Sequence, residues 1–138
     1  MIEALIVVMY IAILAAFILP KVTGAGRRAA ETNLRATLHE LRTAIASFQA
    51  ETGLFTTKLD DLTVTAAPDN GLSPAGLEVP IIKDDFHGPY LLGPGGRLPV
   101  DRATGKREWD YRVTPPNVGR VSSLAQGVSL DGEPYSTY

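Results

Sequence analysis

MIEALIVVMYIAILAAFIL, residues 1–19, is the stretch on which the fold of this 138-residue chain turns. Glu3 is its only charged residue. A helix of this length rises roughly 28 Å, close to the hydrocarbon thickness of a bilayer. A carboxylate within such a segment is costly, so it marks function and calls for a partner. Three uses of the stretch compete: a cleaved secretory signal, a simple single-span anchor, and a retained helix that packs against copies of itself. The signal reading fits poorly. No basic residue precedes Lys21, the apolar run exceeds a normal signal core, and no small-x-small site interrupts it. The expectation is therefore a membrane-inserted assembly helix.

Pro20 closes the apolar run, and Gly24 and Gly26 follow it. A proline removes a helical donor and crowds the preceding turn, and glycine lowers helix propensity. A kink or local unwinding is expected over residues 16–26. From Arg27 a second register begins. Leu34, Leu38, Leu41, Ile45 and Phe48 recur at alternating spacings of four and three, one apolar stripe. These five residues are expected to pack the helix against the rest of the chain. Glu31 and Arg35 are spaced to pair at i,i+4 on the polar side. Gly53 stands where a helix C-terminal glycine belongs.

Beyond Gly53 the composition changes: nine of the ten prolines and ten of the thirteen glycines lie in residues 54–138. Long helices are excluded there. Leu59-Asp60-Asp61-Leu62 suggests one helical turn. Val79-Pro80-Ile81-Ile82 and Tyr90-Leu91-Leu92 read as short strands, and residues 93–96 as an exposed turn. Residues 109–113 and 120–122 read as a hairpin joined through Pro115-Pro116-Asn117. The expected fold is α+β: a long N-terminal helix, kinked or unwound near Pro20, on a small antiparallel sheet of three or four strands. Three segments follow: residues 1–26 as the apolar membrane or filament-core segment, 27–53 as the amphipathic half of the helix, and 54–138 as a β-rich, loop-rich body.

Composition limits the function. The net charge is −2, and residues 54–138 carry eleven acidic against eight basic groups, which argues against a phosphate-backbone footprint there and leaves room only for a few local nucleic-acid contacts. There is no cysteine, hence no disulfide framework or thiolate site. No serine sits in a nucleophile motif, His39 and His87 lack a motif partner, and the Gly95-Gly96 pair is not followed by a phosphate-binding lysine. An enzyme is not expected. Lys21, Arg27 and Arg28 after the span would by charge alone place the body on the cytoplasmic side; a basic leader ahead of the span would reverse that.

The residues at the head of the chain resemble a known family. Met1-Ile2-Glu3-Ala4-Leu5-Ile6-Val7-Val8, Ile11-Ala12-Ile13-Leu14-Ala15-Ala16 and Pro20 are similar to the N-terminal segment of type IV pilins and type II secretion pseudopilins, in which a proline follows the glutamate by seventeen residues, as here. In the body, Gly88-Pro89-Tyr90-Leu91, Leu98-Pro99-Val100-Asp101 and Trp109-Asp110-Tyr111 look like elements of major-pseudopilin bodies. The resemblance implies two further mature residues and a cleaved prepilin leader ahead of Met1, with methylation of the new N-terminus. It implies an inner-membrane pool of subunits, drawn by an ATP-driven pilus or secretion machinery into a homo-oligomeric helical filament. That filament would be extracellular, serving adhesion or motility, or periplasmic if it is a secretion pseudopilus. Glu3 would neutralise the N-terminal amine of a neighbouring subunit, with Pro20, Gly24 and Gly26 shaping the assembled helix. No cofactor is required; the one ligand the resemblance suggests is a calcium ion in the C-terminal loop, with Asp131 as its ligand. The same Ser129-Leu130-Asp131-Gly132-Glu133 segment also reads as a plain Asp-Gly turn. Outside the family, a membrane-tethered monomeric binding domain remains the alternative.

Overall fold

The computed structural model describes residues 2–93 and 95–138, the side chains of residues 17–23 excepted. The chain is α+β. One helix, α1 (Ile2–Thr52), leads into a body of short strands. The kink or unwinding expected near Pro20 falls on residues 17–23 and lies outside the described residues, as does Pro94 of the turn expected over residues 93–96. The helix stops where Gly53 adopts φ +71°, a left-handed conformation suited to glycine, and the Gly53 N–H bonds to the Gln49 carbonyl at 2.9 Å.

After Gly53 the chain forms β1 (Phe55–Thr56), a 3-10 turn (Leu59–Leu62), β2 (Asn70–Leu72) and β3 (Glu78–Pro80). These strands make an antiparallel sheet in the order β1-β2-β3, with Phe55 opposite Leu72 and Gly71 opposite Val79. Further on, β4 (Asp110–Tyr111) and β5 (Val121–Ser122) form an antiparallel pair, Tyr111 opposite Val121. Among the described residues the body thus holds two small sheets, of three and two strands, rather than one of three or four. Residues 90–92 are not a strand. The N–H groups of Tyr90 and Leu91 both donate to the single Leu62 carbonyl, at 2.9 and 3.0 Å, which leaves no ladder to extend.

The core lies between the upper half of α1 and this body. Leu34, Leu38, Leu41 and Phe48 are at most 1 % exposed, and Ala44 and Ile45 lie beside them. They meet Leu59, Leu62, Ile81, Leu91, Leu98, Trp109 and Val121. Strands of two or three residues supply few ladder bonds, so side-chain hydrogen bonds hold the loops. The Trp109 indole N–H donates to the Pro99 carbonyl at 3.1 Å. Wholly buried Asp101 accepts from the Ser123 hydroxyl at 2.6 Å and the Ala103 N–H at 2.8 Å. Thr56 donates to the Tyr111 hydroxyl at 2.9 Å, which donates back to the Thr56 carbonyl at 2.8 Å. Among the described residues no buried side-chain nitrogen or oxygen lacks a partner, as a loop-rich body requires.

Candidate functional site

The two halves of α1 have opposite surroundings. Residues 31–48 lose their apolar stripe to the body, whereas every residue from 2 to 16 is exposed. Ile2, Leu5, Met9, Tyr10 and Ile11 each leave more than 60 % of their surface open, and Ile6, Val7, Val8, Ile13 and Leu14 between 46 and 64 %. The exposure runs around the whole circumference, because apolar residues occupy every helical position and not one stripe. Soluble monomers seldom carry apolar patches beyond a few hundred Å². Within α1 the backbone groups bond to one another, so this surface is ready for an apolar medium or for other helices. Among the described residues no helix is long and apolar enough to cross a membrane; the apolar sequence continues through residues 17–19, which lie outside them.

Glu3 is exposed in the first turn of α1, where a negative charge suits the helix dipole. No ion pair among the described residues involves it. Gly24 and Gly26 are exposed, and a Cβ built on either would meet nothing within 4 Å. Neither glycine is therefore required by packing within the chain.

Above this surface the C-terminal segment is strapped onto α1 by a row of helix side chains. Arg27 Nη2 donates to the Val128 carbonyl at 3.0 Å. Glu31, 8 % exposed, accepts from the Leu130 N–H at 2.7 Å and the Tyr135 hydroxyl at 2.9 Å. Arg35 ion-pairs with Asp131, bonds to the Tyr138 hydroxyl and lies 4.8 Å from the centre of that ring. Arg42 bonds to the Tyr138 carbonyl and, at 3.2 Å, to that of Val121. The expected Glu31–Arg35 pair does not form, because each finds a partner across the fold. The part-buried bonds from Leu130 and Tyr135 use the Glu31 carboxylate, and an exposed i,i+4 pair contributes only a few tenths of a kcal/mol. Burial, with the Glu31 carboxylate next to it, pushes the Tyr135 hydroxyl up.

Asp131 is thus a partner of Arg35. Calcium takes six to eight oxygen ligands, and the single carboxylate named for it is engaged by a guanidinium. Ser129 Oγ, in the same loop, accepts from the N–H groups of Asp131 and Glu133 at 3.2 Å each. Among the described residues no three His, Cys, Asp or Glu side chains are grouped to hold a metal.

At the other end of α1, Glu51 accepts from the Tyr90 hydroxyl and, at 3.2 Å, from the His87 N–H. The His87 ring nitrogen Nδ1 lies 3.5 Å from the same carboxylate. Phe48, Phe86 and Tyr90 stack edge to face with centroids 5.4–6.1 Å apart. Burial, then the Glu51 carboxylate, push the Tyr90 hydroxyl up to about 12. The phenol is neutral when it donates, so the folded state holds its proton more tightly than the unfolded chain. Stability is therefore expected to be whole below pH about 10 and to fall as pH rises from there through about 12. Tyr90→Phe should flatten part of that fall in a urea-melt series from pH 9 to 12. An unchanged slope would place the alkaline loss with Tyr111 and Tyr135, whose hydroxyls are also pushed up, chiefly by burial.

The chain matches no family model, no characterised protein and no solved structure.

Proposed function

We propose that this chain is the repeating subunit of a type IV pilus-like filament, held in a membrane before assembly and bundled through residues 1–26 afterwards. One observation carries the reading: residues 2–16 of α1 are exposed on all sides, while the apolar stripe of residues 31–48 is covered by the chain's own body. Each large apolar side chain removed from water contributes about 1.5–3 kcal/mol before ordering costs. A run of them uncovered in the monomer is a strong drive toward lipid first and sister helices later. The body and its strap remain outside, on the polar half of the helix. The head of the sequence, with Glu3 and Pro20 at the family's separation, supports a pilin or pseudopilin rather than a plain anchor.

Electron microscopy of material sheared from cells expressing the chain is the direct test, with residues 2–16 replaced by a polyleucine span as the comparison. The native chain should give long helical filaments and the polyleucine chain none, while both reach the membrane. Filaments from both would reduce the helix to an anchor. Short assemblies that lengthen only on overproduction would favour a type II secretion pseudopilus. A solitary, membrane-tethered molecule with no assembly from either chain would favour the binding-domain alternative.

A further inference from the structure

The lower end of the body, where α1 enters it, carries charge that the strap does not use up. Arg27, Arg28 and Arg102 are exposed, and none ion-pairs with a carboxylate among the described residues. Arg35, Lys58, Lys83, Lys106 and Arg112 each have one; among the same residues Arg42, Arg97, Arg107 and Arg120 also have none, Arg42 and Arg107 being held by backbone carbonyls instead. Arg27 and Arg102 line a cavity of about 330 Å³ between α1 and the loops at residues 102–104 and 124–126. Arg28 lines a second hollow that shares Glu31 with the first. The two acids that line these hollows are already engaged, Glu31 by Leu130 and Tyr135, and Asp131 by Arg35. Three apolar side chains, Leu124, Val128 and Leu130, stand among the arginines at 46–50 % exposure.

Position along the helix gives this mixture its meaning. Residue 27 follows the end of the apolar run by eight residues, a separation that a regular helix would cover in roughly 12 Å. Side chains on a helix lean toward its N-terminus, and long basic side chains lay their stems on apolar surface while the charged head reaches a polar layer. The headgroup layer beyond the hydrocarbon is about 5–8 Å deep on each side. Guanidinium groups bind phosphate oxygens through paired N–H donors, and exposed leucine and valine suit the boundary with the acyl chains.

We propose that this underside is a binding site for the headgroup phosphates of anionic phospholipids, with Arg28 and Arg102 as its main donors and Arg27 contributing the N–H groups that Val128 leaves free. The site rests on the membrane-inserted reading above. It holds the unassembled body against the bilayer surface, and extraction into a filament breaks it.

The test uses the full chain in nanodiscs of equal phosphatidylglycerol and phosphatidylcholine, with lipids retained on the released protein counted by native mass spectrometry. Phosphatidylglycerol should be retained several-fold over phosphatidylcholine. Arg28→Gln and Arg102→Gln should each lower that preference by roughly fivefold, down to parity, Arg102→Lys should keep most of it, and none should move the thermal melt. Inorganic phosphate alone, added to the chain in neutral detergent, should not stabilise it. Entry into the discs with a retention ratio near one overturns the headgroup site and leaves the inserted reading standing. Failure to enter the discs at all removes the inserted reading. Stabilisation by free phosphate equal to that by phosphatidylglycerol reassigns the arginines to a soluble anion. Dimers that disappear in the glutamine variants, without lipid selectivity, reassign the face to a second copy.

Discussion

Glu3→Val should abolish filaments while leaving a folded, inserted monomer. The carboxylate lies in the first turn of a helix whose exposed residues 2–16 are otherwise almost wholly apolar. In hydrocarbon it is tolerable only when protonated, or when paired with a cation and hydrogen-bonded. Under the filament proposal the cation is the N-terminal amine of the next subunit, so the acid both selects and registers the incoming helix. Valine removes the need for that partner. Insertion should become easier, though by less than the roughly 3 kcal/mol that an acid costs at a span's centre, because Glu3 stands in the first turn. Filament yield should fall below detection. The body, which makes no ion pair with Glu3 among the described residues, should melt at an unchanged temperature. Sheared-filament yield, membrane flotation and a thermal melt on one preparation separate these effects. Normal filaments from the variant would sink the assembly role of Glu3; a lowered melt would show an unsuspected contact with the body.

The second large effect concerns the body itself. Phe48 is wholly buried and stands edge-on to Phe86 and Tyr90 at 6.1 and 5.6 Å. Phe48→Ala opens a cavity and removes two aromatic contacts, a loss of about 4 kcal/mol. Small domains are stable by only about 5–15 kcal/mol, so this single change should bring the body near its threshold, a fall in Tm of roughly 15–25 °C. Phe48→Leu, which keeps most of the volume, should cost about 1.5 kcal/mol. Denaturant melts of the two variants provide the comparison. A loss below about 1 kcal/mol for alanine would mean that the upper half of α1 is not the floor of the core.

These two residues also mark what is legible in the sequence. The leucine stripe of α1 and its glycine stop are readable because helical periodicity is local and the stripe spans four turns. Glu3 stands out because nothing near it in sequence is polar. The strands resist reading for the opposite reason. Two or three residues are too few to show a period of two, so β1 and β2 carry no signal, while Tyr90-Leu91-Leu92 looks like a strand and is not one. Its fate is decided by the Leu62 carbonyl, 28 residues before Tyr90. The strap is harder still. Glu31 and Arg35 satisfy the i,i+4 rule in sequence, yet their partners lie nearly a hundred residues downstream. Only the folded chain brings those donors and acceptors to the helix.

The strap also has a mechanical meaning. The body is joined to α1 covalently after Thr52 and clasped to it again between Arg27 and Arg42, so it lies along residues 27–52 as a splint lies along a limb. An axial pull on that half must break the arginine clasps and shear the core before the helix can lengthen. In a filament of the kind proposed, whatever length tension adds is not gained there.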